Sequence, residues 1–415
     1  MHVKRNALWS TILLVFACIG LCLIGCKMSP VPDSPPAPLN QRSGDPELAK
    51  FIESIRVEEG LPALAAAIII DGKINSVAAV GSRESGTDNW VAVNDKFLIG
   101  SCAKAFTATL AAILVEEGRM NWQTTMRDAF PDLDMLPEYE TITIQQLLSH
   151  RAGLPKNLKE GNATWLINYG FDEKRGTTPE ILRLQYLEQT VQNKLISPPG
   201  KVVHYSNSGY ILAGAMLEAI AKQPYEKLRA EKIFRPLDIT TAGYGIPSDS
   251  DPMSQPCGHY WDKTKKSFVA YRTDYPNFMA PAGYMYLSLE DWAKFIQVHL
   301  DSYPSNKQKL LQSSTLKLLH TPPDTARWDI NIGYNTNYAL GWFTKEADEG
   351  HYLLWHGGRG FAFNAQVVAD LKTKNAILLV TNSEVSNIHP QYHLLIMVKK
   401  IQEHYAEKVY LPALN

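Results

Sequence analysis

The chain has 415 residues, 45% of them hydrophobic and 20% charged, with a formal net charge of −1. That length allows two or three structural units around a sizeable core. A balance this close to neutral supplies no field for nucleic acid or an anionic membrane, and Lys263, Lys265 and Lys266 read as solvated loop surface.

At the N-terminus, His2, Lys4 and Arg5 precede an uncharged apolar run, Ala7–Leu23, which ends in Leu23-Ile24-Gly25-Cys26. A basic start, an apolar stretch and a small-residue site are the parts of a secretory signal. The Leu-x-Gly-Cys ending resembles a bacterial lipobox, so residues 1–26 are expected to be a lipoprotein signal peptide with Cys26 acylated. The alternative is an uncleaved membrane anchor. Residues 27–46, which include Pro30, Pro32, Pro35, Pro36, Pro38 and Pro46, read as a stiff tether. The folded domain, 47–415, would then stand outside the cytoplasm on the bacterial cell envelope, anchored in the bilayer by its acyl chains. Of five cysteines only Cys102 and Cys257 lie in that domain, and both read as free small hydrophobes.

In chain order, Pro46–Glu59 predicts a helix. Leu64–Ile70 and Ile74–Val80, joined by Asp71-Gly72, predict a β-hairpin. Cys102–Val115 is apolar on nearly every side and closes at Gly118, which predicts a helix in the middle of a domain. Helical stretches follow at Ile144–His150, Glu180–Val191, Gly209–Lys222 and Leu289–Leu300, between long proline- and glycine-marked loops. Strands are expected at Tyr338–Phe343, His351–His356, Phe361–Ala369 and Ala376–Thr381, with turns at Gly357–Gly360 and Asp370–Asn375, and a closing helix at 390–406. Strands at both ends with helices between them imply an α+β fold. An antiparallel sheet of N- and C-terminal strands is flanked by helices, with a mostly helical insertion over roughly 120–287 and a site at the seam.

Chemistry concentrates first in Ser101-Cys102-Ala103-Lys104. A serine hydroxyl needs an adjacent base, and residues three apart on a helix share a face. Lys104 can be that base only when neutral, which the apolar surroundings Ala105–Val115 favour by burial. A second copy of the spacing, Ser314-Thr315-Leu316-Lys317, opens an ordinary amphipathic helix with serine as its N-cap. Tyr205-Ser206-Asn207 offers a proton-shuttling phenol, if cations depress its pKa, and an amide for substrate, with Asn207 or Ser208 capping the next helix. His356-Gly357-Gly358 ends a strand; Gly358 would let substrate lie against the strand edge, and His356 would orient a substrate carboxylate or tune Tyr205.

Taken together and in this order, S-x-x-K, Y-x-N and H-x-G resemble the motifs of serine β-lactamases, penicillin-binding carboxypeptidases and related esterases. The resemblance runs over most of the chain and includes Leu147–Leu154, Pro199–Tyr210, Pro281-Ala282-Gly283 and Leu340-Gly341-Trp342. It implies that Ser101 attacks a carbonyl, that Lys104 and Tyr205 pass the proton to the leaving group, and that Asn207 binds the substrate amide. It also implies an oxyanion hole from the backbone N–H groups of Ser101 and Arg359. His356 departs from the lysine of many β-lactamases and resembles D-amino-acid-acting peptidases and some esterases. No deacylating glutamate stands out, so water activation would fall to Tyr205.

There is no G-x-S-x-G elbow, H-E-x-x-H helix, C-x-x-C pair or Walker loop, so neither metal nor nucleotide cofactor is expected. The chain reads as a monomeric serine hydrolase that forms an acyl-enzyme on Ser101, cleaving a small-molecule or peptide substrate at an amide or ester bond; a D-amino-acid peptide or a β-lactam fits. A carboxylesterase on the same fold is the alternative, and a lipid-anchored protein that binds without turnover is the second.

Overall fold

The N-terminal hairpin forms where Asp71-Gly72 allows it: both residues take positive φ, 50° and 73°, the conformation a two-residue hairpin turn requires. The computed structural model describes residues 41–156, 176–247, 253–272, 277–302, 309–323, 327–328, 337–348, 351–384, 390–405 and 409. The expected signal segment with Cys26, and the expected tether up to residue 40, lie outside the described residues. Among the described residues no helix is long and apolar enough to cross a membrane.

The helices used below are α1 (Pro46–Glu59), α2 (Lys104–Glu116), α3 (Pro179–Thr190), α4 (Asn207–Ala221), α5 (Tyr225–Arg229), α6 (Leu289–His299), α7 (Ser313–His320) and α8 (Pro390–His404). The strands are β1 (Ala63–Ile70), β2 (Lys73–Gly81), β3 (Phe97–Leu98), β4 (Gly258–Asp262), β5 (Ser267–Tyr271), β6 (Met285–Leu287), β7 (Asn337–Tyr338), β8 (Phe343–Asp348), β9 (His351–Gly360), β10 (Phe363–Asp370) and β11 (Asn375–Thr381).

Seven strands form one antiparallel sheet in the order β7-β8-β9-β10-β11-β1-β2. The first hairpin thus joins the C-terminal meander through β1 and β11, with Leu64 opposite Thr381 and Ile69 opposite Ala376. Side chains alternate across a strand. Leu64, Ala66 and Ile68 pack under α1 and α8, while Ala65, Ala67 and Ile69 face the larger core containing α2 and α6. The architecture is therefore a mixed helix and antiparallel-sheet fold. The 120–287 region is not purely helical: it carries the β4–β5 hairpin and a small sheet in which β6 pairs with both β3 and Gly243–Tyr244.

Two expectations change. The expected strand Tyr338–Phe343 is broken into β7 and β8 by a bend at 339–342. Gly341 (φ 84°) lies so close to α2 that a Cβ there would sit 2.8 Å from the Ala105 Cα. The expected turn at Gly357–Gly360 is instead the end of β9, and the chain reverses at Phe361-Ala362 (φ 52° and 58°). At Gly358 the missing side chain serves close approach to a neighbouring segment, not reversal. A Cβ on Gly358 would lie 1.8 Å from the Ile99 carbonyl oxygen.

Candidate active site

Strand β3 runs through Ile99 into a 3₁₀ turn, Gly100–Ala103, that carries Ser101; α2 begins only at Lys104. Ser101 therefore precedes the buried helix by a turn and does not open it, and Gly100 has φ 50°. From Lys104 to Leu114 every residue of α2 is buried, and Lys104 itself is 0% exposed.

That amine lies 3.0 Å from the Ser101 Oγ, 2.8 Å from the Asn207 Oδ1 and 2.6 Å from the Ala282 carbonyl oxygen. Burial holds its pKa well below the ordinary lysine value; the Cys102 thiol opposes this and Lys156 adds to it. A neutral amine has two N–H bonds and one lone pair. Asn207 Oδ1 and the Ala282 carbonyl can only accept, so they take the two N–H bonds and leave the lone pair facing the Ser101 hydroxyl. The rings of Tyr205 and Tyr210 complete the enclosure, 4.9 and 5.4 Å from Nζ.

Tyr205 hydrogen-bonds Ser101, but burial pushes its pKa up. The condition set for a phenolate, depression by cations, is not met: burial is the largest influence on the phenol, which keeps its proton. The loop before α4 is held from behind. Ser206, not Asn207 or Ser208, caps α4 through Gly209 N (3.0 Å), and its hydroxyl donates to the Pro155 carbonyl. His150 (φ 59°) accepts from Ser206 N at Nδ1 (3.0 Å), and its ring lies 4.3 Å from that of Tyr205 and 4.4 Å from that of Tyr338. Nothing in its spacing within Leu147–Leu154 marks His150 as a support for Tyr205; the contact exists only once α4 and the sheet come together. The Ala282 carbonyl is equally invisible in sequence, being backbone.

His356 does not line the cleft. It is 1% exposed, its Nδ1 donates to the Gly357 carbonyl (2.7 Å), and its Nε2 accepts from the Tyr338 hydroxyl (3.1 Å). Burial lowers its pKa to about 3, so it offers no positive charge to a carboxylate. Its ring is 6.3 Å from that of Tyr205, which places it in the packing behind that residue.

Among the described residues the strand end beyond His356 has no strand partner on the β8 side, because β8 pairs no further along β9 than Trp355. In a two-residue hairpin the flanking pair, here Gly360 and Phe363, exchanges hydrogen bonds. By alternation the Arg359 N–H points away from β10, towards the Ser101 turn. A Cβ on Gly100 would lie 2.3 Å from the Arg359 nitrogen, so the backbones carrying the Ser101 and Arg359 N–H groups are in close contact. The second Ser-x-x-Lys copy is elsewhere: Ser314 and Lys317 are exposed on α7, whose N-cap is Gln312 and not serine. A second Tyr-x-Asn spacing in the sequence, Tyr275-Pro276-Asn277, has its first two residues outside the described residues. Cys102 and Cys257 are free and buried. Among the described residues no cluster of three His, Cys, Asp or Glu could hold a metal ion.

The Beta-lactamase family model matches residues 48–395, and the chain belongs to that family. Among curated relatives, Protein flp of Staphylococcus aureus (strain N315) is 25% identical over 354 residues, covering 81% of this chain and 62% of that protein. The chain thus spans under two thirds of the length of such relatives. The fold is similar to that of the octameric penicillin-binding protein homologue from Pyrococcus abyssi (TM-score 0.68, 21% identity, 85% of this chain and 77% of that one). It is also similar to a D-stereospecific amidohydrolase from Streptomyces sp. (TM-score 0.60, 22% identity, 79% and 92%).

Proposed function

We propose that the protein is an acyl-serine hydrolase with Ser101 as nucleophile and Lys104 as its base. The observation that carries the reading is the seat of Lys104 Nζ, 3.0 Å from Ser101 Oγ with two obligate acceptors on its N–H bonds. As the Ser101 Oγ–carbonyl bond forms, its proton passes to Lys104, and the neutral Tyr205 phenol relays a proton to the leaving nitrogen or oxygen. The Ser101 and Arg359 N–H groups stabilise the oxyanion, each such donor being worth about 3–4 kcal/mol. Asn207 seats Lys104 through Oδ1 and is assigned the substrate amide, while the open edge of β9 beside Gly358, where the Arg359 backbone faces outward, receives the substrate backbone. Water then releases the acyl group, with Lys104 and Tyr205 returning the proton.

The substrate class we favour is an amide of a D-amino acid or a β-lactam; the Streptomyces neighbour is named for D-stereospecific amide hydrolysis. An esterase is the other reading, and hydrolysis of p-nitrophenyl esters without D-alanine release or β-lactam turnover would favour it. Intact mass spectrometry of wild type and Ser101→Ala against a fluorophosphonate, β-lactams, esters and D-Ala peptides decides the mechanism. Adducts on the wild type alone are expected; adducts that persist in Ser101→Ala, or none with any reagent, overturn it.

We further propose that the protein is exported and lipid-anchored at Cys26, on the lipobox alone. Palmitate labelling lost in Cys26→Ala is the expected result, and unchanged membrane attachment of that variant refutes it. A monomer is proposed; light scattering that finds an oligomer, as in the octameric Pyrococcus abyssi homologue, refutes that.

A further inference from the structure

Lys104 is seated by a carbonyl, and that carbonyl ends a run whose members are almost all held by buried side chains. Arg183 Nη1 donates to the carbonyls of Asn277 (3.4 Å) and Phe278 (3.2 Å). Arg229 Nη2 donates to that of Ala280 (2.8 Å), Thr107 Oγ1 to that of Pro281 (2.7 Å) and Lys104 Nζ to that of Ala282 (2.6 Å). Thr107 lies one helical turn beyond Lys104 on the same face of α2.

The donors are themselves ordered. Thr107 spends its proton on Pro281, so in its 2.6 Å contact with Tyr225 the phenol is the donor. Tyr225 in turn accepts from Arg229 Nη2. Arginine only donates, so the direction of the chain Arg229–Tyr225–Thr107–Pro281 is fixed from its cationic end. Arg183 and Arg229 are both 0% exposed. Glu218 and Glu226 each bind Arg183 (2.7 and 2.8 Å).

Resting on the acyl-hydrolase reading, we propose that Arg229 is a positioning residue: through Tyr225 and Thr107 it fixes the Ala280–Ala282 carbonyls against which the Lys104 amine is seated. A seat that loosens admits water, and a hydrated amine regains its proton. The groups facing Lys104 are Cys102 on its own turn, His150 and Lys156, Tyr205 and Tyr210 at the start of α4, and His356 on β9. None of them belongs to the Arg229 chain, so a change made at Thr107 or Arg229 leaves these groups in place.

The test uses the full chain with ¹³Cε-labelled lysine, in which the Lys104 signal is the one lost in Lys104→Arg. Its titration midpoint is followed by NMR, beside the pH profile of Ser101 labelling by a fluorophosphonate. In Thr107→Val, which removes the hydroxyl at nearly constant volume, the midpoint should rise and labelling at neutral pH should fall about ten-fold or more. The acid limb should move to higher pH, Thr107→Ser should restore both, and Arg229→Met, if it folds, should follow Thr107→Val. A midpoint and profile that coincide with wild type, even with a lower Tm, overturn the proposal. If the wild type is never labelled, the hydrolase reading fails, and the Lys104 midpoint still decides the positioning role.

Discussion

Replacing Gly358 with alanine places a methyl carbon 1.8 Å from the Ile99 carbonyl oxygen and 2.8 Å from its carbon. Non-bonded carbon contacts settle near 3.5–4.0 Å, and both obstacles are backbone, so β9 and the Ser101 turn must separate by roughly 1–2 Å. A displacement of about 1 Å in a reacting constellation costs on the order of 10²-fold. Here the separation also parts the Arg359 N–H from Ser101, and one lost oxyanion donor is worth about 10²–10³. Gly358→Ala should therefore acylate Ser101 about 10²–10³-fold more slowly, with a stability loss of about 1–3 kcal/mol from overpacking. Gly357 is the internal control. A Cβ there meets only the Gln366 Oε1 at 3.2 Å, which has to give by no more than a few tenths of an ångström; Gly357→Ala should stay within a few-fold of wild type. Rates come from stopped-time fluorophosphonate labelling read by intact mass, and stabilities from urea unfolding. Wild-type labelling by Gly358→Ala, or equal damage from Gly357→Ala, would refute the close-approach argument.

Lys104→Met should abolish acylation, by about 10³-fold or more, yet raise the Tm. Burial lowers the pKa of the amine in the fold, whereas the unfolded chain binds its proton up to about pH 10.4. The wild type is therefore destabilised at neutral pH and regains stability as pH rises towards that value; a lower Tm in Lys104→Met would contradict this. His299 and His320 are buried and in contact at 2.9 Å, and burial lowers His320 to about 3. Unfolded histidine takes its proton near pH 6.5, so stability should fall as pH drops from about 6.5 towards 3. His320→Gln should flatten that slope in urea melts between pH 4.5 and 7.5, and an unchanged slope would count against it. Arg183→Met leaves Glu218 and Glu226 without their buried partner, and should cost about 3–5 kcal/mol in chemical denaturation; a loss under about 1 kcal/mol would refute the argument that this pairing supports the fold.

Legibility followed the range of the interaction. Helix α1 and the first hairpin were readable to within a residue or two, because Asp45, Pro46, Gly60 and Asp71-Gly72 act on their own neighbours. The Ser101–Lys104 pairing was readable for the same reason, being a three-residue spacing. What escaped depended on distant chain. The glycines after His356 look like a turn unless the segment carrying Ser101 is known to press against Gly358, and the reversal fell on Phe361-Ala362. His356 looked like a ligand because a histidine ending a strand carries no sign of the Tyr338 hydroxyl that occupies it. The Tyr205 phenol was expected to need cations, but its neighbours are a deprotonated amine and buried rings, and burial decides its state.

The β1–β11 pairing also sets a timetable. Strand β1 (Ala-Leu-Ala-Ala-Ala-Ile-Ile-Ile) pairs on one side with β2 at once, but its other edge waits for residues 376–381, about 300 residues later. At synthesis rates of about 5–20 residues per second, that edge stays open for roughly 15–60 s. It is apolar, free of charge and free of proline, the composition that recruits foreign strands. Until its last strand arrives, the nascent chain carries an adhesive half-sheet, and whatever shields that edge in the interval governs how much protein reaches the folded state.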